Sequence, residues 1–393
     1  MFSKRFTVFR LLGFDVKIDL TWLVLAVLVT WTLARGVFPL YFPELSRQTY
    51  WLMGIGGTLG LLVSIVFHEL SHSVVARRYG LPITGITLFI FGGVAEMTDE
   101  PPSPKAEFLM AAAGPLASFV LALVLYAALL TMGEADLPLS VRGVLFYLVY
   151  LNVLVAVFNL IPAFPLDGGR MLRAALWHWK GDIRWSTRLS SSIGSGFGLV
   201  LIALAVLAVL QGNFIIGMWW FLIGMFIRTA AGMSYQQLLL REALRGELVR
   251  RFMNASPVTV SPSISLQELV DDYIYQYQFK MFPVAEHSRL LGCVTTREVR
   301  VVPRGDWTRH TVRDVFKTCS PENTIAPDAE ALDALTLMAR TGSSRLMVVD
   351  SGTLVGIITL KDLMRFLSLK FELEEQGDGA LGKSSGPIDL FRT

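Results

Sequence analysis

The chain has 393 residues, of which 53% are hydrophobic and 17% charged, a balance that places it with membrane proteins. Its net charge of +3, with no arginine-rich stretch, excludes a nucleic-acid partner. Two cysteines, Cys293 and Cys319, cannot build a disulfide framework and suit a reducing compartment.

The N-terminal stretch MFSKRFTVFRLLGFDVKID has no small-residue cleavage site, so no signal peptide is expected. Apolar runs long enough to cross a bilayer follow at 20–34, 51–76, 106–131, 143–161, 193–210 and 214–229. The first and last are short and lean on flanking aromatics. With a cytoplasmic N-terminus, the inner segments carry Lys4, Arg5, Arg10, Lys17, Arg77, Arg78, Lys105, Arg170, Arg173, Lys180, Arg184 and Arg188. The outer loops carry only Arg35, Arg47 and Arg142. That bias predicts a multi-pass protein of the cell membrane with both termini in the cytoplasm.

The second run contains His68-Glu69-Leu70-Ser71-His72. Histidines four apart on a helix share a face, so both imidazoles can reach one metal ion. Glu69 beside them is placed to take a proton from a water that the metal activates. A chance match is the alternative, but three ionisable groups in one span are costly to insert and seldom lack a purpose. Residues 85–97, GITLFIFGGVAEM, are apolar, β-rich and too short to span. They are expected to form a hairpin or re-entrant strand pair with Gly92-Gly93 at its bend; an interfacial loop is the alternative. The acids that follow, Glu96, Asp99, Glu100 and Glu107, read as solvated.

After the fourth run comes NLIPAFPLDGGR, 159–170, where Pro162 and Pro165 break the helix and Gly168-Gly169 permit a sharp turn. Broken backbone at membrane depth implies a cavity. A catalytic zinc needs a third protein ligand and an open position. Asp167 fits best, level with the end of the second run; His178, in WHWKGD, is the competitor, and a plain helix-capping role for Asp167 stays open.

Beyond residue 232 the composition turns soluble. A polar helix over 233–246 reads as a linker. Two stretches then repeat with an offset of 64, FPVAEHSRLLGCVTTREV (282–299) and LMVVDSGTLVGIITLKDL (346–363), each a strand, a turn, a strand and a helix. The expected domains are 247–304 and 305–372, with a disordered Gly/Ser-rich tail over 373–393.

HELSH in an apolar helix, FGGVAEM after it, AAAGPLAS at 111–118 and NLIPAFPLDGGR together resemble the site-2 protease family of intramembrane zinc metalloproteases. The resemblance covers the membrane region and implies about six transmembrane helices. It further implies one zinc ion held by His68, His72 and Asp167, with Glu69 as catalytic base. By the same resemblance Asn159 holds the substrate backbone or developing oxyanion. Gly92, Gly93 and Val94 would offer an edge strand to an unwound single-span membrane protein substrate. The repeated half resembles a tandem pair of CBS domains, an α/β module that binds ATP or another adenine nucleotide or serves to pair two copies as a homodimer. Its ligand positions would be Thr359 and Asp362 in the second copy; the first has Thr295 but Glu298 where Asp is usual, which puts that site in doubt. Two rivals remain: a CBS-regulated ion transporter or channel, which gives no reason for Glu69, and a silent scaffold that binds membrane segments, against which the intact ligands argue.

Overall fold

A computed structural model describes residues 5–81, 83–89, 92–97, 100–132, 137–286 and 289–375. It divides into two compact units, Met1–Tyr235 and Gln236–Thr393. The expected tail lies outside the described residues from 376 onward.

The first unit opens with a β-hairpin, β1 (Arg5–Leu11) and β2 (Phe14–Asp19). Its two-residue loop uses Leu12 and Gly13, both at positive φ, as the twist of a tight hairpin requires. Among the described residues, six helices are long and apolar enough to cross a membrane: α1 (Leu20–Tyr41), α2 (Arg47–Arg78), α3 (Pro104–Thr131), α4 (Leu139–Asn159), α6 (Ile183–Leu210) and α7 (Phe214–Leu244). Between them α5 (Asp167–Lys180) is short and amphipathic. Most helices outrun the apolar segments that predict them, because capping residues extend their ends. Ser46 accepts from Thr49 at the start of α2, and Ser103 accepts from Ala106 at the start of α3. The first and last spans are not short either: both run on at their C-terminal ends, α1 through a π turn at Leu33–Val37 and α7 to Leu244. The fourth stops at Asn159, before the prolines.

In that region β3 (Ile83–Phe89) pairs antiparallel with β4 (Gly92–Met97); residues 90 and 91 lie outside the described residues. The bend is not at Gly92-Gly93, however. Phe89 pairs with Gly92 and Leu88 with Gly93, so both glycines open β4. β2 lies parallel to β3, giving a four-stranded sheet in the order β1-β2-β3-β4. Its buried face, with Phe14, Val16, Ile86 and Leu88, packs on Trp22 of α1 and Val66 and Leu70 of α2.

Within a bilayer, helices associate through close packing and interhelical hydrogen bonds rather than through water exclusion. α2 supplies both. A Cβ on Gly60 would come within 2.6 Å of the Leu148 methyls, so α4 reaches the helix surface there. Thr58 bonds Thr30 of α1 at 2.8 Å, and Ser64 accepts from Asn152 of α4 at 2.9 Å. α2 is thereby held from both sides.

In the second unit β5 (Met281–Glu286) pairs with β6 (Arg289–Thr295), and β9 (Arg345–Asp350) with β10 (Thr353–Thr359). They join two short strands, β7 (Lys317–Thr318) and β8 (Thr324–Ile325), in one six-stranded sheet. The repeat is exact in the core: Phe282, Val284, Val294 and Val299 fill one cluster where Leu346, Val348, Ile358 and Leu363 fill the other. Each such side chain contributes about 1.5–3 kcal/mol on full burial. Asn254 exchanges two backbone hydrogen bonds with Ile357, so the segment before the first copy closes the sheet of the second. Burial and the nearby Glu298 carboxylate push the Cys293 thiol up to about 11, which makes it an inert core residue.

Candidate metal centre

α2 carries His68 and His72 one turn apart, and both are buried. Their Nε2 atoms lie 3.1 and 3.2 Å from one oxygen, Oδ2 of Asp167. All three donor atoms fall within 4.8 Å of one another. Asp167 reaches this point as the first residue of α5. The prolines end α4, and Gly169 lets α5 start hard against the preceding loop: a Cβ there would sit 2.6 Å from the Cα of Phe164. The loop turns through a cis Phe164-Pro165 bond.

The outer ring nitrogens are tied as well. His72 Nδ1 donates to the carbonyl of Met110 at 2.6 Å, and His68 Nδ1 lies 2.9 Å from Ser118 Oγ. A carbonyl can only accept, so His72 keeps its proton on Nδ1 and presents a lone pair at Nε2. Such outer partners orient ligands and raise their basicity. Two imidazole nitrogens and one carboxylate oxygen, converging and buried, form a donor set that fits zinc with a position left open.

α3 leaves room for it. A Cβ built on Gly114 would overlap Nε2 of both histidines. Gly114→Ala is therefore expected to displace at least one imidazole, lowering zinc content in the purified protein, with about 1–3 kcal/mol of overpacking cost. Zinc by atomic absorption beside a melting curve checks this. A full complement of metal in the alanine variant would contradict it.

Glu69, next to His68 on α2, packs against β4: a Cβ at Gly93 would stand 2.9 Å from its carboxyl carbon. β4 is the end strand of the sheet. Asn159 closes α4, and its side-chain amide donates to Val155 in its own helix, at 3.0 Å. Gly92 and Val94 lie in β4 beside Gly93. His178 is exposed in the last turn of α5 and takes no part in the triad.

One expectation fails. Glu107 is not solvated; it is fully buried in the first turn of α3 and bonded to Arg173 of α5. Glu100, partly exposed, joins the same arginine at 3.5 Å. Of the remaining two acids, Asp99 lies outside the described residues. Sequence reasoning also passed over Met110, Gly114 and Ser118 as members of the site. The small-residue run AAAGPLAS at 111–118 was the signal for Gly114 and Ser118; nothing local marks Met110.

In the second unit, Thr359 and Asp362 form a closed corner where β10 meets the helix Leu360–Glu375: Thr359 donates to Asp362 from Oγ1 at 2.6 Å and from its amide at 3.1 Å. Thr295 and Glu298 repeat the arrangement. There the carboxylate also meets Lys317 Nζ at 2.9 Å. Burial pushes Glu298 up, but the bonds from Thr295 and Lys317 win and hold it below the usual carboxylate range.

The model of peptidase family M50 matches residues 56–140 and 135–204, and that of the CBS domain matches 249–304 and 312–369. A Mycobacterium tuberculosis protein named as the zinc metalloprotease Rip3 is 33% identical over 362 residues, 92% of either chain. Zinc metalloprotease MJ0392 of Methanocaldococcus jannaschii is 29% identical over 94% of this chain and 97% of its own. Among solved structures, a site-2 protease from Methanocaldococcus jannaschii aligns with a TM-score of 0.41 at 29% identity, covering 59% of this chain and 95% of that one.

Proposed function

Because the chain belongs to peptidase family M50, the site-2 protease family of zinc metalloproteases, and carries a tandem CBS pair, we propose that it cuts single-span membrane proteins within or near their apolar segments. The observation that carries this reading is the convergence of His68, His72 and Asp167 on one point inside an apolar helix bundle. In it, these three residues hold zinc. A bound zinc ion supplies a Lewis acid and brings the pKa of a coordinated water to about 7. Glu69 takes the proton from the attacking water and returns it to the leaving amine. Met110 and Ser118 hold the imidazoles in place, and Asn159 steadies the substrate backbone. A helical substrate hides its carbonyls, so cleavage needs an extended segment. β4, through Gly92, Gly93 and Val94, offers a strand edge for it next to Glu69.

On this reading the protein sits in the cell membrane with both termini in the cytoplasm, an orientation that the arginine and lysine bias supports. Membrane proteomes of cells carrying the active protein and the Glu69→Gln variant test the reaction. Single-span proteins should persist uncut in the variant and appear as fragments with the active form. Identical fragment sets would remove the protease reading.

The CBS pair is assigned a regulatory role: it takes ATP or a related adenine nucleotide at the Thr359–Asp362 corner, with Thr295 at the equivalent place, and pairs two chains. Helix N-termini receive phosphate groups, and the helix Leu360–Glu375 starts at this corner. Asp362→Ala should weaken ATP binding by about tenfold, the loss of one charge-assisted bond. Calorimetry on the full chain in detergent measures it. A flat titration with ATP, ADP and AMP alike would leave the pair as a dimerisation device.

A further inference from the structure

A buried ion pair stands beside the metal centre. Arg173, in α5, donates from Nε to Glu107 Oε1 at 2.6 Å and from Nη2 to the same oxygen. Glu107 is wholly buried and Arg173 is 5% exposed. The guanidinium also lies over the Phe164 ring, 5.3 Å from its centroid, in the loop that delivers α5. Glu100 Oε2 stands 3.5 Å from Nη2. One side chain thus grips α3 and the loop from its seat on α5.

Glu107 begins a stripe. Met110, Gly114 and Ser118 follow it along α3 at helical spacing, and all four are buried. That stripe accepts from His72, clears space for both imidazoles and bonds His68. α5 begins with Asp167, less than two turns before Arg173. The position of α3 along α5 therefore sets the distance between the histidine supports and the carboxylate. Stability is a weak reason for the pair, since a buried ion pair roughly breaks even against a well-packed apolar one. Geometry is the better one.

We infer that Glu107 and Arg173 are positioning residues that hold α3 in register on α5, so that Asp167 and the two histidines meet at metal-binding distance. This rests on the zinc reading above. The experiment follows zinc loss from the full-length, zinc-loaded protein in detergent to an excess chelator, with melting temperature and KM for a membrane substrate recorded alongside. Arg173→Lys keeps the charge but cannot span both contacts, and Glu107→Gln keeps the shape but loses the charge. Both should lose zinc about ten to a hundred times faster than wild type, the range seen for groups that orient metal ligands. KM should hold while kcat falls. Thr58→Val, which removes a part-buried interhelical bond to Thr30 of α1, should lower the melting temperature and leave the zinc-loss rate alone.

Folded Arg173→Lys and Glu107→Gln proteins that release zinc at the wild-type rate overturn the inference. So does Thr58→Val releasing zinc as fast as they do, because the effect would then be general loosening. Should either ion-pair variant fail to fold, the other decides. Asp167→Ala serves as the reference: if it keeps zinc as well as wild type, or wild type holds none, the metal-site reading falls and this inference with it. If the reference loses zinc and the ion-pair variants do not, only the positioning role falls.

Discussion

Glu69→Gln protein should bind zinc as wild type does and cleave a membrane substrate at least about 10²-fold more slowly, a barrier increase of about 2.7 kcal/mol. Gln keeps the volume of the side chain, so its packing against β4 at Gly93 is preserved. The ligands are untouched, because His68, His72 and Asp167 make all the convergent contacts among the described residues. What disappears is a group able to accept a proton from water. Single-turnover cleavage in liposomes, with zinc measured on the same preparation, checks both halves. Normal rates would refute the role of Glu69; low zinc would mean that Glu69 helps hold the metal.

Asp167→Ala should empty the site. Two histidines on one helix give only half of a four-coordinate shell, and the third protein ligand has no substitute among the described residues. Changes to mere supporting groups cost about 10–100-fold in affinity or activity, so loss of a direct ligand must cost more. Zinc after dialysis should drop from about one per chain to a small fraction, and cleavage should fall with it. Asp167→Asn separates charge from shape: a neutral amide oxygen is a poorer donor, so an intermediate zinc content is expected. Full occupancy in the alanine variant would show that another group completes the shell.

The two histidines were legible because a helix writes its own spacing into sequence, and the apolar context of Trp51 to Ala76 made the helix certain to form. Asp167 was legible for a different reason: it follows two prolines and precedes two glycines, so it had to lie at a break. Glu107 misled because its partner, Arg173, stands 66 residues away and no local pattern links them. An acid after three other acids reads as surface until the fold supplies the counter-charge. The N-terminal hairpin was missed too. Its turn, Leu12-Gly13, lacks the Asn-Gly or Asp-Gly signature, and Phe14 and Val16 reveal their alternation only once β3 lies beside them. Helix ends were underestimated where a polar cap, not an apolar residue, fixes the boundary, as Ser46 does for α2.

The length of α2 has a consequence for what becomes of the products. At about 1.5 Å per residue, the stretch from Trp51 to His72 spans about 31 Å, as thick as the hydrocarbon layer of about 30 Å. With Trp51 at the outer face, as the proposed topology has it, the metal ligands stand near the cytoplasmic rim of that layer. On the proposed function, water then has a short way to travel, and a strand laid along β4 would be cut close to the boundary. Of the two fragments, the one on the near side keeps few apolar residues. At about 0.8 kcal/mol per buried CH₂ group, so short a remnant cannot hold a polypeptide in lipid, and it departs into the aqueous phase. The longer fragment stays anchored. On the proposed function, that depth would sort the halves of a substrate by solubility, with no further step.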